Sequence, residues 1–176
     1  SATGPLLRLA DVYMVTKDFV SARQSLQSAL RLAPDLFVAH KRLVMVALAD
    51  KNFDEALGVA QRLQRQYPKS AAGFLLEGEI RKGQQKWDPA IAAVRGALER
   101  SKSADVAIKL HGMYLSAGRA DEASTFATNW LRARPDDVPF LLHMGLQAMG
   151  SKDNASAEIR YRQVLAKDNS NVVALN

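Results

Sequence analysis

The stretch Lys51-Asn52-Phe53-Asp54-Glu55-Ala56 recurs in altered form along the chain. Residues 17–22 and 85–90 repeat its order of two polar residues, an aromatic ring, two variable residues and an alanine. Five alanines continue this register at spacings of 34, 34, 33 and 34 residues: Ala22, Ala56, Ala90, Ala123 and Ala157. Self-similarity at a fixed period of this length predicts an array of small structural repeats.

Each period contains two amphipathic helical stretches joined by a short polar break. In the first period the apolar residues share one helical face in each stretch, namely Leu6, Leu9, Ala10 and Tyr13, then Ala22, Leu26, Ala29 and Leu30. Three of the five alanines are followed twelve residues later by a proline, which stops the second helix: Pro34, Pro68 and Pro135. The sequence has no alternating apolar–polar run bounded by hairpin turns, which would indicate β-strands instead of helices. The chain is predicted to be all-α.

These landmarks resemble the tetratricopeptide repeat, a 34-residue pattern of apolar, Leu-Gly, Tyr, Ala, aromatic and Pro positions. The fourth period carries it as Leu110, Tyr114, Gly118, Ala123 and Pro135. The resemblance implies a right-handed superhelical solenoid of about five helix-turn-helix units within a single array, residues 1–176. The expected units are residues 3–35, 36–69, 70–103, 104–136 and 137–170, with 171–176 starting a sixth first helix.

Three local features depart from a regular array of complete repeats. His111 stands where the pattern has glycine, and the 33-residue spacing places a one-residue deletion near residues 101–105. The short sixth helix cannot be stable alone, so the chain is interpreted as a fragment of a longer array. On that interpretation Val164 and Leu165, near the end of the fifth unit, should be poorly covered.

Composition excludes several classes of site. The 176 residues are 48% hydrophobic and contain no cysteine, which excludes disulfides, thiolate metal sites and cysteine nucleophiles. The sequence has no run of 18 uncharged apolar residues, so it predicts no transmembrane segment. The net charge is +6, but the arginines are scattered rather than clustered. We therefore expect a solvated basic surface and no nucleic-acid partner.

Catalytic and metal-binding patterns are also missing from the sequence. There is no phosphate loop, nucleophile elbow or His-Glu-x-x-His motif. The three histidines, His40, His111 and His143, lie in different units without metal spacing. Trp87 and Trp130 are expected to pack in the core. The sequence predicts a non-enzyme without cofactor or metal.

The resemblance implies that the first helices line a concave groove in which partners bind. The residues expected to face it are Leu7, Asp11 and Met14, then Lys41, Met45 and Leu48, then Leu75, Glu79 and Lys82, then Ile108, Gly112 and Leu115, and finally Leu142, Leu146 and Met149. Methionine suits an adaptable apolar surface, and Lys41, Lys82, Arg42 and Lys109 could orient acidic groups of a peptide. Alternatively, the array buries this stripe against its own neighbours. Only Lys41 fits the two-carboxylate clamp of some family members, so that mode is rejected.

The predicted function is a protein–protein interaction scaffold that binds a peptide or protein in this groove. The alternative is a module that binds an anionic polymer such as exopolysaccharide through its basic surface, and self-association through open array ends is also possible. The ending, residues 165–176, is similar to bacterial tetratricopeptide lipoproteins of PEP-CTERM/exosortase and exopolysaccharide systems. That narrower resemblance implies a periplasmic, lipid-anchored parent protein; without it, a cytoplasmic one is expected.

Overall fold

The computed structural model describes residues 2–175. Ser1 and Asn176, which the predicted array and its sixth helix include, lie outside the described residues. Within residues 2–175 the chain is all-α, as predicted, with no strand. The helices are α1 Thr3–Val15, α2 Phe19–Leu32, α3 Phe37–Ala49, α4 Phe53–Gln66, α5 Ala72–Gly83, α6 Trp87–Ser101, α7 Ala104–Ser116, α8 Ala120–Ala133, α9 Val138–Gly150, α10 Asn154–Leu165 and α11 Val172–Leu175. We call α1, α3, α5, α7 and α9 the first helices, and α2, α4, α6, α8 and α10 the second helices.

The helices group into two compact units. The N-terminal unit ends at Arg100, in the last turn of α6, and the C-terminal unit begins at Ser101. The one-residue deletion falls at this border. Only residues 102–103 separate α6 from α7, whereas four or five residues separate α2 from α3, α4 from α5 and α8 from α9. The shortening is therefore taken up in a link, and the helices keep their lengths.

Each first helix is joined to its second helix by three residues, and the middle one has left-handed backbone geometry. These residues are Lys17, Lys51, Gln85, Gly118 and Lys152, with φ of 60°, 57°, 58°, 73° and 62°. The N–H of the following residue donates to the carbonyl five residues earlier, at 2.7–2.9 Å in all five turns. This is the Schellman bond that closes a helix C-terminus. In three turns that same residue, Asp18, Asn52 or Asp153, also caps the next helix through its side chain.

The register alanines lie where first and second helices meet. All five are at most 1% exposed, as expected for positions that let two backbones approach closely. Side-chain sizes complement each other around them. A Cβ on Gly78 would lie 2.5 Å from Cγ2 of Val94, and one on Gly145 would lie 2.6 Å from Cε1 of Tyr161. Each glycine lies twelve residues before its register alanine, and each large partner lies four residues after it. The first helix therefore has no side chain at the point where the second helix has a large one, and the two pack closely.

One expectation about the C-terminal helices is wrong. Val164 is 0% exposed, although it was expected to be poorly covered. It lies seven residues, or two turns, after Ala157, and therefore shares the buried face of α10. Leu165 is half-buried. No helix within residues 2–175 is long and apolar enough to cross a membrane.

Candidate binding surfaces

The first helices of the N-terminal unit expose part of the predicted stripe. Met45 on α3 is 51% exposed. Lys41, Glu79 and Lys82 are exposed as well, while Leu48 and Leu75 are half-buried. The predicted stripe on these helices is therefore mixed, with Met45 in water and charges of both signs in the same stripe. The same helices also expose apolar side chains outside the stripe, namely Leu9, Val12, Val15, Phe37 and Val38.

An ion pair fixes the surface beside Met45. Nε of Arg42 lies 2.7 Å from Oδ1 of Asp11, and its Nη2 lies 2.9 Å from Oδ2. This two-point contact joins α1 to α3, next to a pocket of ≈ 90 Å³ whose lining includes Met14 and Met45. Arg42 is already paired in the folded chain, so its predicted role in orienting a partner's acidic group would require Asp11 to give it up. Lys41 makes no ion pair with any described residue and is the better candidate.

The stripe in the C-terminal unit is more apolar. Leu146 and Met149 on α9 are 53% and 52% exposed, Leu142 is half-buried, and Lys109 on α7 is exposed. Leu146 and Met149 also line a pocket of ≈ 540 Å³. Its other walls include residues that the stripe prediction omitted, because they lie on α10 and α11: Tyr161, Leu165, Val173 and Ala174.

The charged residues at this C-terminal pocket are Glu158 and Arg162, which pair with each other. Nη2 of Arg162 lies 2.6 Å from Oε1 of Glu158, the i,i+4 arrangement expected on a helix surface. Because the two charges are joined, the pocket offers an incoming group mainly apolar surface. Its chemistry suits a hydrophobic side chain better than a charged one.

His111 and His143, which the sequence places in different units of the repeat, lie together in the C-terminal unit. Nε2 of His143 is 3.0 Å from Nδ1 of His111, and the rings meet edge to face. His111 is only 3% exposed. Burial, and then the neighbouring His143, lower the pKa of His111 to about 4, and burial lowers the pKa of His143. Both rings are therefore neutral near pH 7. Within residues 2–175 no third metal-ligating side chain joins them.

An aromatic cluster surrounds the histidine pair. The cluster consists of Tyr114, Phe126, Trp130 and Phe140, and Phe140 contacts both histidines. Neighbouring rings in this cluster have centroids 5.8–6.2 Å apart. Trp130 is buried, as predicted, and its indole N–H donates to Oδ2 of Asp137 at 2.8 Å. Asp137 also caps α9 by accepting from the N–H of Phe140. The only signal of the histidine contact in the sequence is a spacing of 32 residues, close to one repeat.

Comparison with known proteins finds a family match for part of the chain. The family model described as tetratricopeptide repeat matches residues 13–80. A comparison with curated protein sequences finds no significant match. No comparison supports the narrower resemblance to lipoproteins of exosortase systems.

Solved structures resemble the chain over nearly its whole length. A crystal structure of MamA is 19% identical, covers 95% of this chain and 92% of its own, and has a TM-score of 0.54. PilF of Pseudomonas aeruginosa is 17% identical, with coverage of 99% and 80% and a TM-score of 0.59. A thermophilic tetratricopeptide protein of Thermus thermophilus is 16% identical, with coverage of 98% and 95% and a TM-score of 0.58. At such identities the likeness concerns the fold alone. Together with the family match over residues 13–80 and the repeated turns, it shows that the chain has the fold of tetratricopeptide repeats.

Proposed function

We propose that this chain is a protein–protein interaction scaffold that binds peptide segments on the first-helix faces of its two units. Tetratricopeptide proteins are generally non-catalytic scaffolds. The observation that carries the proposal is the exposure of four large apolar side chains of the predicted stripe. Met45, Leu115, Leu146 and Met149 are 38–53% exposed. An apolar patch of this kind on a folded surface commonly marks an interaction site.

The energetics favour a partner with apolar side chains. Removing apolar surface from water contributes about 25 cal/mol for each Å² buried. Methionine adapts its unbranched, polarizable side chain to differently shaped partners at small cost. Leu48, Leu75 and Leu142 extend the apolar surface beneath the exposed side chains, since each is half-buried.

Charges around the apolar side chains narrow the class of peptide. Lys41 and Lys82 in the N-terminal unit and Lys109 in the C-terminal unit are exposed on first helices. Glu79 is an exposed acid close in sequence to Lys82. We expect a peptide with apolar residues at helical or extended spacing and acidic residues beside them.

The experiment compares two double variants on an array of amphipathic peptides with acidic flanks. Met45→Glu with Leu146→Glu places a charge on the first-helix face of each unit. The control is Val20→Glu with Ile159→Glu, since these side chains are 64% and 57% exposed on second helices of the same units. The first variant should lose binding at least tenfold and the control should keep it, both remaining folded by circular dichroism. Retained binding in the first variant, or equal loss in both, contradicts the proposal.

Salt dependence separates this function from binding of an anionic polymer through the basic surface. Attraction between exposed charges is screened over about 10 Å at 0.1 M salt and about 3 Å at 1 M. Peptide binding through apolar side chains should therefore persist at high salt. A steep loss of affinity between 0.05 M and 0.5 M salt would favour the polymer instead.

A further inference from the structure

A second pocket lies in the C-terminal unit, and Leu115 is the one residue of the predicted stripe that lines it. It has a volume of ≈ 370 Å³ and is lined by α7, α8, α9 and the start of α10. Helix α9 presents Leu146 and Met149 to the pocket described above and Met144 and Ala148 to this one. The two pockets therefore lie on different sides of α9, and an occupant of the second would not cover Leu146 or Met149.

Small side chains on α8 leave room for the pocket. Ala127 lies four residues after its register alanine. Three other repeats carry a larger residue at this place (Leu26, Val94 and Tyr161), and the second repeat carries Ala60. Ala123 and Ala127 both line the pocket, and His111 reaches it from α7. His111 stands in the fourth repeat where Gly78 and Gly145 stand in the third and fifth. Its side chain fills only part of the space that a large residue at position 127 would take.

His111 supplies an unsatisfied polar group at this pocket. Its Nδ1 is bonded to His143, and Nε2 has no hydrogen-bond partner within residues 2–175. Of the side chains that line the pocket, it is the one polar side chain that is buried. Nε2 is not cut off from solvent, so a ligand atom that pairs with it would take the place of water and keep its hydrogen bond. The remaining walls near it are apolar, with Leu115, Leu131 and Met144 among them.

We propose that this pocket binds the side chain of a tyrosine from a partner protein, with its hydroxyl on Nε2 of His111 and its ring against the apolar walls. The histidine pair can form its hydrogen bond in either of two tautomeric arrangements. If Nε2 of His143 donates, His111 carries its proton on Nε2; if Nδ1 of His111 donates, Nε2 is a bare acceptor. A hydroxyl both donates and accepts, so it satisfies either arrangement, whereas a carboxylate only accepts and an ammonium only donates.

The electrostatics of the pocket agree with a neutral guest. His111 is uncharged near neutral pH, because burial holds its pKa at about 4. The charged residues among the lining are one acid, Asp153, and one base, Arg160. Asp153 is occupied in capping α10 through the N–H of Ser156. The lining thus has no excess of positive charge that would favour an anion over a phenol.

The test uses p-cresol, which is the tyrosine side chain with a terminal hydrogen, on the full chain labelled with ¹⁵N-histidine. Titration should shift the Nε2 resonance of His111 saturably at millimolar concentrations. Toluene, which lacks the hydroxyl, should bind about tenfold more weakly, the ratio expected for one hydrogen bond.

Ala127→Leu fills the pocket and should abolish the shift. Ser124→Leu, from an exposed position on the same wall, should also abolish it and is easier for the fold to tolerate. Ala155→Leu, exposed on α10 outside the pocket, should leave it unchanged.

Several results would overturn the inference. The absence of a saturable shift at His111, or equal affinity for toluene, removes the hydroxyl contact. Tighter binding of p-toluate than of p-cresol would make the pocket an anion site instead. Binding that survives both Ala127→Leu and Ser124→Leu in folded protein would place the phenol elsewhere.

Discussion

His111 occupies a place in its repeat that requires a small residue in two others. Glycine can stand at positions 78 and 145 because Val94 and Tyr161 fill the space opposite, and histidine can stand at position 111 because Ala127 leaves it open. The histidine is then buried with one nitrogen bonded to His143. Its charge state is thereby tied to the packing of the C-terminal unit.

The stability of the chain should fall as the pH is lowered from 6.5 to about 4. In this range the unfolded chain protonates His111, whose ordinary pKa is 6.5, whereas the folded chain does not until its pKa of about 4. Folding is therefore opposed increasingly on acidification, by on the order of 3 kcal/mol at the lower end. The depressed pKa of His143 acts in the same direction. Urea unfolding at pH 7 and pH 4.5 measures the loss.

The acids with altered titration affect only the lowest part of this range. Asp18, Asp153 and Asp168 accept hydrogen bonds that lower their pKa below 3.8. Their contribution to stability is nearly complete above about pH 5 and is lost as the pH falls further. His111→Gln should therefore flatten the dependence between pH 6.5 and 4. An equally steep dependence in this variant would show that His111 is not its source.

At the scale of the helix pair, stability depends on the match between first and second helices. Gly145→Ala should destabilise the chain by about 1–3 kcal/mol, because its Cβ would lie 2.6 Å from the ring of Tyr161 and the ring would have to shift. Gly112→Ala is the matched control within the same unit. No atom lies within 4 Å of its Cβ position, so it should stabilise helix α7 by about 0.5–1 kcal/mol. Denaturant midpoints of the two variants should move in opposite directions, and a similar loss in both would refute the size match.

The sequence predicted helix pairs well because their signals are local and repeated. The polar breaks, the register alanines and the closing prolines each act within one or two turns, and every turn has the same three-residue geometry. The size match between positions such as Gly145 and Tyr161 was not predicted, since it requires knowing which side chains face each other across two helices. The contact between His111 and His143 was missed for the same reason.

Burial along α10 shows where local reasoning failed. Val164 was treated as part of an uncovered flank, but its spacing from Ala157 already placed it on the buried face. The apolar residue of α10 left in water is Ile159. Helical periodicity carried through to the last turn would have corrected this.

At the scale of the whole molecule, the net charge of +6 does not describe an evenly basic surface. Several arginines are paired with acids within each unit. Arg23 bonds to both Asp50 and Glu55, and Arg42 holds Asp11 at two points. Charge that is paired in this way is less available to a polyanion. The exposed lysines are therefore the charges whose position decides between the proposed peptide and a polymer.

Two variants with equal charge separate these functions. Lys41→Gln with Lys82→Gln and Lys69→Gln with Lys86→Gln each lower the net charge by two, and all four lysines are exposed. The first pair lies on first helices, whereas Lys69 and Lys86 lie in links between helices. If an acidic peptide binds the first-helix face of the N-terminal unit, the first variant should weaken its affinity about two- to fivefold, as exposed charge pairs contribute up to about 1 kcal/mol each. The second should leave it unchanged. A polymer attracted by overall charge would respond to both variants alike, so fluorescence titration of the two proteins at low salt distinguishes local recognition from general attraction.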